Sequence, residues 1–226
     1  MKITCLNLAG YKNWSNRESL IIKYLDKVQS DIVFFQEVKY NPDISILDQA
    51  QLINSMLSAS YQYSQSAISR TYITSDGKES REGLSVLSKY PIIESEILVL
   101  KKRNDDHHTR IIQNVDILVG GQLQKFTNVH FSNNSYSDEQ LEEVLSLIKE
   151  RNQKRIIVGD FNIADINSVS HLFSERYISS FSQSKYISFP SEAATFDHIL
   201  IPSEYKFTSF SLGENLSDHN ALTFEI

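Results

Sequence analysis

The stretch that decides the fold reads Arg155-Ile156-Ile157-Val158-Gly159-Asp160-Phe161-Asn162. Its apolar residues indicate a short buried strand, which runs into a glycine and then into two polar side chains two positions apart. If the strand period of two continues, Asp160 and Asn162 project to the same side while Phe161 turns into the core. The stretch therefore predicts a carboxylate and an amide that are aimed at one point.

Three other apolar runs also end on a side chain that can bind a metal ion or carry a proton. These side chains are Asn7, Glu37 and His130. Near the C-terminus, Asp218 and His219 precede the last apolar run. Because adjacent residues of a strand face opposite ways, this pair can serve one site only if its segment is irregular. The set predicts an oxygen-ligand site for a hard divalent ion, with histidines beside it.

Length and composition indicate one globular domain over residues 1–226, since the chain is 41% hydrophobic and contains no internal repeat or linker. The net charge of −6 gives the molecule no overall field that attracts polyanions. An enzyme of this charge that acts on nucleic acid therefore needs a local basic rim. The candidates for that rim are 101–103 and Arg110, which are solvated loop residues by default.

The N-terminal residues lack the pattern of a signal peptide, and no apolar stretch approaches the roughly 18 residues of a membrane span. The single cysteine, Cys5, allows no intrachain disulfide and alternates with Ile3 on an apolar run, which favours a core position. We expect a monomeric cytoplasmic protein with no membrane span.

The order of predicted elements is mixed rather than strictly alternating. Helical periodicity predicts helices over 15–29, 44–57 and 137–152, with Ser15 and Ser137 as N-terminal capping residues. Strand patterns cover 2–8, 31–36, five runs between 61 and 130, and then 155–158, 195–201, 206–211 and 220–226. Helices on either side of a long run of strands suggest two sheets packed face to face, with helices covering their outer surfaces.

Each histidine of the candidate site needs a partner. Asp197 is the best partner for His219, because it begins an apolar strand and would stabilise the imidazolium form. His198 then points to the opposite face and is interpreted as structural. His130 is more often a structural residue in such a position, but Glu82, placed at a strand start, would favour a catalytic role by orienting it.

A run of metal-like composition, Asp105-Asp106-His107-His108, lies in a turn-like segment. A solvated loop is the favoured interpretation of this run, because no neighbouring element fixes its side chains.

The ordered set of motifs resembles the endonuclease/exonuclease/phosphatase superfamily, the DNase I-like fold. No single motif carries the resemblance, which spans nearly the whole chain. Its elements are Asn7, Gln36-Glu37, Glu82-Gly83, the segment from Leu87 to Ile92, His130, Gly159-Asp160-Phe161-Asn162, Asp197 and Ser217-Asp218-His219.

The resemblance implies a four-layer α/β/β/α sandwich, with two mostly antiparallel sheets flanked by helices, that hydrolyses phosphate esters with Mg²⁺ or Mn²⁺. It implies that Asn7 and Glu37 hold the metal ion and that Asp218 helps. Asp160 would orient or deprotonate the attacking water, and Asn162 would stabilise the transferring phosphoryl group.

The resemblance also implies two histidine–acid pairs. His219 with Asp197 would act as acid or base, or as a donor to the phosphate. His130 with Glu82 looks like the second pair of the DNase I branch, whereas abasic-site endonucleases carry a tyrosine in that region.

We therefore expect a magnesium-dependent phosphodiesterase, a nuclease acting on nucleic acid. A phosphoinositide- or sphingomyelin-type enzyme of the same superfamily is the alternative, and a binding module without catalytic activity is less favoured. Substrate choice is expected to depend on the loops at 64–82, 101–110 and 131–137, whose shapes depend on tertiary placement.

Overall fold

The computed structural model describes residues 1–74, 76–103 and 108–226. Asp105, Asp106 and His107, for which the sequence predicts a solvated loop, lie outside these ranges. The strands in the described residues are β1 (Lys2–Asn7), β2 (Ile32–Tyr40), β3 (Tyr63–Ile73), β4 (Glu79–Ser88), β5 (Ile92–Val99), β6 (Ile111–Val119), β7 (Gln122–His130), β8 (Ile156–Asp160), β9 (Tyr177–Ser179), β10 (Asp197–Pro202), β11 (Ser209–Gly213) and β12 (Ala221–Glu225).

The same ranges contain fewer helices than strands, and the helices lie between strands along the sequence. They are α1 (Trp14–Val28), α2 (Gln49–Met56), α3 (Ser137–Glu150) and α4 (Ser180–Gln183), together with short 3₁₀ turns at Ser170–Leu172 and Pro190–Glu192. None of the described helices has the length and apolar character needed to cross a membrane.

The strands form two six-stranded sheets. The first sheet has the order β11-β12-β1-β2-β4-β3, and the second has the order β5-β6-β7-β8-β10-β9. Each sheet contains one parallel pair, β1 with β2 and β7 with β8, while its other neighbours are antiparallel. The ends of these four central strands therefore determine where the polar residues of the sequence motifs meet.

Three large hydrophobic clusters separate the layers. The cluster between the sheets joins Phe34 of the first sheet to Phe126 of the second, with ring centroids 5.2 Å apart. A second cluster packs α1 and α2 on the outer face of the first sheet, and a third packs α3 on the outer face of the second. The four-layer α/β/β/α sandwich expected from the sequence is confirmed.

Strand β2 differs from its prediction in a way that matters for the site. It was expected to end at residue 36, but it continues to Tyr40, with a bulge between Phe35 and Val38. Glu37 lies in this bulge with a φ of 51°, in the left-handed region. A bulge turns a side chain away from the strand's regular alternation, and side-chain periodicity alone does not reveal it.

The helix starts also differ from their predictions. The N-cap of α1 is Asn13 in a left-handed conformation, with no side-chain cap, so the expected Ser15 capping box does not form. Helix α2 begins later than expected, behind a capping box made by Asp48 and Gln51. The N-cap of α3 is Tyr136 rather than Ser137. Of these three helices, α2 is capped by a side chain, whereas α1 and α3 have no side-chain cap hydrogen bond.

The segment 64–82, predicted to be a substrate loop, forms most of a long hairpin. Strands β3 and β4 pair from Tyr63 opposite Ser88 to Ile73 opposite Glu79. Among the described residues of this segment, the turn lies at the tip of the hairpin, near Gly77. This stretch therefore reaches the cleft described below through the side chains of paired strands.

Gly159 allows β8 to approach β7 closely just before Asp160. Its φ is 144°, and a Cβ placed on it would lie 2.0 Å from the carbonyl oxygen of Val129. We expect Gly159→Ala to lower the free energy of unfolding by about 2–5 kcal/mol, from backbone strain and from the clash. Urea unfolding followed by circular dichroism measures this change.

Gly121→Ala is the matched control for Gly159→Ala. Gly121 also has a positive φ, of 81°, but a Cβ there meets nothing within 4 Å. We expect this control to cost about 1 kcal/mol, from the backbone alone. Equal losses in the two variants would contradict the close approach of β8 to β7.

Candidate active site

Strand ends from both sheets meet at one polar cleft with a volume of about 410 Å³. The first sheet contributes Asn7 at the end of β1 and Glu37 from the bulge in β2. The second sheet contributes His130, Asp160 and Asp197, and the irregular segment before β12 contributes Asp218 and His219. The structure thus brings the sequence-predicted residues together, with Asn7 and Asp197 buried beneath the cleft.

Asp160 lies at the centre of the cluster. Its Oδ2 accepts a hydrogen bond from Asn7 Nδ2 at 2.9 Å. The same oxygen lies 3.6 Å from His130 Nε2 and 3.8 Å from His219 Nε2. One carboxylate oxygen is therefore surrounded by an amide from the first sheet, an imidazole from the second, and an imidazole from the loop before β12.

Asp160 and Asn162 reach the same cleft, and Phe161 between them is fully buried. The backbone N–H of Asn162 donates to Asp160 Oδ1 at 3.0 Å, and Asn162 Nδ2 donates to the carbonyl of Phe131 at 2.9 Å. Asn162 adopts a left-handed φ of 52°. The alternation predicted from the sequence therefore holds, although the strand itself ends at Asp160.

His219 is paired with Asp197, as the sequence predicts. The His219 Nδ1 atom lies 2.7 Å from Asp197 Oδ2, and both residues are buried. Burial alone would lower the pKa of His219, but the charge of Asp197 and the hydrogen bond to it outweigh burial and raise the pKa to about 10. His219 is therefore an imidazolium near neutral pH, with Nε2 free to face the cleft.

His198 lies on the opposite side of β10, as predicted. Its Nε2 contacts the carbonyl of Ile163 at 2.8 Å, and its ring packs edge-on against Phe161. His198 is accordingly absent from the cleft lining.

His130 does not pair with Glu82, and the predicted second histidine–acid pair is corrected on this point. Glu82 Oε1 accepts from Arg70 Nη2 at 2.6 Å, and Glu82 Oε2 lies 3.5 Å from Lys39 Nζ. Two cations from neighbouring strands thus compete with the histidine for this carboxylate. Burial lowers the pKa of His130, and the nearby positive charges of Arg110 and His219 lower it further.

Glu37 is held in the cleft by the bulge and by Asn7. Asn7 Nδ2 donates to Glu37 Oε1 at 3.3 Å, while Asn7 Oδ1 accepts the backbone N–H of Ala9 at 2.9 Å. Asn7 therefore contacts the carboxylates of Glu37 and Asp160 through its amide nitrogen, and its role as a metal ligand stays a prediction.

A buried amide of the second sheet supports the bulge of the first. Asn128 of β7 donates through Nδ2 to the carbonyls of Phe35 and Ser85, at 3.2 and 3.3 Å. Its Oδ1 accepts from Gln36 Nε2 at 2.7 Å. Two carbonyls beside the bulge thus receive hydrogen bonds from across the interface between the sheets.

Asp218 borders the cleft and forms an ion pair with Lys12, with 3.1 Å between Oδ2 and Nζ. Burial would raise the pKa of Asp218, but the hydrogen bond from Lys12, the charge of His219 and the hydrogen bond from Ser217 together outweigh burial and lower it. Asp218 is therefore ionised at neutral pH and carries its charge to the edge of the cleft.

The donor set fits a hard divalent cation. Burial, followed by the charge of Asp197, raises the pKa of Asp160 to about 7. Burial and the charge of Glu82 raise the pKa of Glu37. Asp197 Oδ1 is buried and accepts no hydrogen bond. Glu37 and Asp218 both line the cleft, and the charge of Asp218 contributes to the raised pKa of Glu37. The carboxylates of Asp160 and Asp197, whose ligand atoms lie within 4.8 Å of one another and of His219, add further acidic groups at the same place. Such clustered carboxylates gain from a bound cation.

Sequence reasoning missed part of the lining. Arg70, His108 and Arg110 form one side of the cleft, and Phe189 and Phe196 border it beside His219. Of these, Arg110 had been singled out as a possible basic rim, and His108 only as part of a run interpreted as a solvated loop. Residues 101–103, the other proposed rim, lie against α3 in a separate depression.

Comparisons with known proteins agree with this fold. The model of the Endonuclease/Exonuclease/phosphatase family matches residues 5–219. No curated protein sequence matches the chain significantly. A similar solved structure is an endonuclease/exonuclease/phosphatase family protein from Leptotrichia buccalis C-1013-b, with 18% identity, a TM-score of 0.77, and coverage of 100% of this chain and 99% of the other.

Two further similar structures carry more specific names. A humanized D. rerio TDP2 has 21% identity and a TM-score of 0.72, over 100% of this chain and 99% of the other. A mannosyl-6-phosphatase from Bacteroides thetaiotaomicron VPI-5482 has 16% identity and a TM-score of 0.70, over 100% and 98% of the two chains. At these identities the likeness concerns the fold alone.

Proposed function

This chain belongs to the endonuclease/exonuclease/phosphatase family, a superfamily of phosphoesterases, and we propose that it is a divalent-metal-dependent phosphodiesterase acting on nucleic acid. One observation carries the proposal. Asp160 Oδ2 is faced by Asn7 Nδ2 at 2.9 Å, by His130 Nε2 at 3.6 Å and by His219 Nε2 at 3.8 Å. A carboxylate that can accept a proton therefore lies beside an imidazolium, His219, that can donate one, and ester hydrolysis uses such an acid–base pair.

Glu37 and Asp218 are the residues that we propose hold the metal ion, with Asn7 orienting the Glu37 carboxylate. Both carboxylates line the cleft, and Asn7 contacts Glu37 at 3.3 Å. Mg²⁺ or Mn²⁺ suits these oxygen ligands and, when bound, would neutralise charge on the phosphate oxygens.

The remaining residues have roles in proton transfer and phosphate binding. Asp160 accepts a proton from the attacking water, and the raised pKa of this buried carboxyl, about 7, suits a base near neutral pH. His219, held as an imidazolium by Asp197, donates a hydrogen bond or a proton to the phosphate. Asn162 and His130 border the same space and contribute further donors.

Arg70, His108 and Arg110 favour a second candidate, an enzyme that removes a phosphate monoester from a lipid, an inositol or a sugar. Arg70 and Arg110, with His108 beside them, place cationic guanidinium groups on one wall of the cleft, where a dianionic phosphate would bind. Glu82 already pairs with Arg70 at 2.6 Å, which reduces the positive charge of this wall. The phosphodiester is therefore the preferred substrate in our proposal.

Metal removal and a substrate panel test the proposal together. We expect EDTA to reduce hydrolysis of single-stranded DNA or RNA to background, and Mg²⁺ or Mn²⁺ to restore it, because the carboxylate cluster needs a cation to bind a phosphodiester. The panel also contains plasmid DNA, abasic DNA, phosphoinositides, sphingomyelin and mannose 6-phosphate, assayed under the same conditions.

The pattern of activity across the panel decides between the candidates. Release of inorganic phosphate from a monoester, without cleavage of any nucleic acid, would favour the second candidate. Full activity in EDTA, with all divalent ions removed, would contradict the metal dependence. Mg²⁺ titration by calorimetry provides a readout that does not depend on the substrate.

A further inference from the structure

Two phenylalanines of this chain, Phe189 and Phe196, lie outside the hydrophobic clusters. Every other phenylalanine lies in, or packs against, one of the hydrophobic clusters. Phe189 and Phe196 belong to none of them and are only half-buried. Apolar rings left at a polar cleft lose the stabilisation that burial would give them, which indicates another role.

The two rings are neighbours and border the reacting groups. The centroids of Phe189 and Phe196 are 5.4 Å apart, and Phe189 also lies 4.8 Å from the centroid of His219. Both side chains line the same cleft as Asp160 and His219. A planar group attached to a phosphate beside His219 would therefore lie within reach of an aromatic surface.

The backbone around the rings is fixed by hydrogen bonds. Phe189 forms an isolated β-bridge with Ala194, with N–H to O distances of 2.9 and 3.2 Å. Ser188 Oγ accepts the backbone N–H groups of Phe196 and Asp197 at 2.9 and 3.0 Å. The ring pair is thus ordered before substrate arrives, which lowers the entropic cost of binding.

We propose that Phe189 and Phe196 form a stacking platform for the nucleobase next to the scissile phosphate of a single-stranded nucleic acid. This inference rests on the proposed function and adds that the nucleic-acid substrate is single-stranded. Aromatic side chains bind bases of any sequence through their faces, but only bases that are unstacked. The platform lies beside His219, so the base it holds belongs to a nucleotide adjoining the reacting phosphate.

Kinetics on two esters test the platform. Thymidine 5′-(p-nitrophenyl phosphate) carries a base, whereas methyl p-nitrophenyl phosphate carries the same leaving group without one. We expect Phe189→Leu and Phe196→Leu to reduce kcat/KM on the nucleoside ester about tenfold more than on the methyl ester, mainly through KM. Phe189→Trp should restore the preference for the base.

Tyr63→Leu is the matched control. Tyr63 is an exposed ring on β3 and lies outside the cleft. It should leave the ratio between the two esters unchanged. Equal losses on both esters in the phenylalanine variants would overturn the proposal, because they would mean that the rings support His219 or hold the aryl leaving group.

Binding tests the platform independently of hydrolysis. In the Asp160→Asn background with Mg²⁺, we expect a fluorescein-labelled thymidine octamer to bind about tenfold more tightly than the corresponding abasic octamer. Adding Phe189→Leu or Phe196→Leu should remove this difference. If wild-type protein hydrolyses no phosphodiester but this difference appears, the proposed function fails and the platform stands; equal affinities for the two octamers would overturn the platform alone.

Discussion

Asp160→Asn is expected to lower kcat/KM on a phosphodiester by about 10³-fold, within the usual contribution of ~10²–10⁴ for a general base. Asparagine keeps the size of the side chain and can still accept the hydrogen bond from Asn7, now 2.9 Å long. It cannot accept a proton from water. Steady-state assays with saturating Mg²⁺ measure the loss.

Asp165→Asn provides the control for Asp160→Asn, since Asp165 is exposed and lies outside the cleft. It should retain wild-type activity. A kcat/KM of Asp160→Asn within tenfold of the wild type would exclude Asp160 as the base.

Asp160→Asn should raise the stability of the protein although it lowers the activity. Burial, followed by the charge of Asp197, raises the pKa of Asp160 to about 7, so its ionised form opposes folding. The wild type should therefore lose stability as the pH rises from about 4 to about 7, relative to the asparagine variant, when both are measured in EDTA. Thermal unfolding across this pH range tests the sign.

The second large effect is expected at His219. We expect His219→Ala to lower kcat by about 10³-fold, because it removes the imidazolium whose Nε2 faces Asp160 at 3.8 Å. His171→Ala is the control, since His171 is exposed and distant from the cleft. Metal affinity, measured by calorimetry, should separate loss of a catalytic group from loss of the metal site.

Asp197→Asn tests the cause of the His219 charge. Asp197 raises the pKa of His219 to about 10 by its charge and its 2.7 Å hydrogen bond, whereas burial acts in the opposite direction. Without Asp197, His219 should lose its proton at lower pH, so the basic limb of the pH–rate profile should move down. An unchanged basic limb would contradict the pairing.

The central part of the site was predictable because it follows from strand alternation. Asp160 and Asn162 reach the cleft while Phe161 is buried, as a period of two requires. The pairing of Asp197 with His219 followed from an acid at the start of an apolar strand.

Contacts between distant strands were not predictable in the same way. Glu82 was assigned to His130, but the hairpin of β3 and β4 places Arg70 beside it instead. Glu37 was expected at a strand end, although it lies in a bulge within a longer strand. Nothing in the sequence distinguished Phe189 and Phe196 from phenylalanines of the core, because the exposure of a ring depends on tertiary packing.

The hydrogen bonds of the Asn128 amide affect how the molecule unfolds. It belongs to one sheet, yet it holds the carbonyls of Phe35 and Ser85 in the other, beside the bulge that presents Glu37. Neither sheet can keep the cleft in its active geometry once the two sheets separate. Activity and β-structure should therefore be lost at the same midpoint concentration of denaturant, with no partly folded species that retains activity.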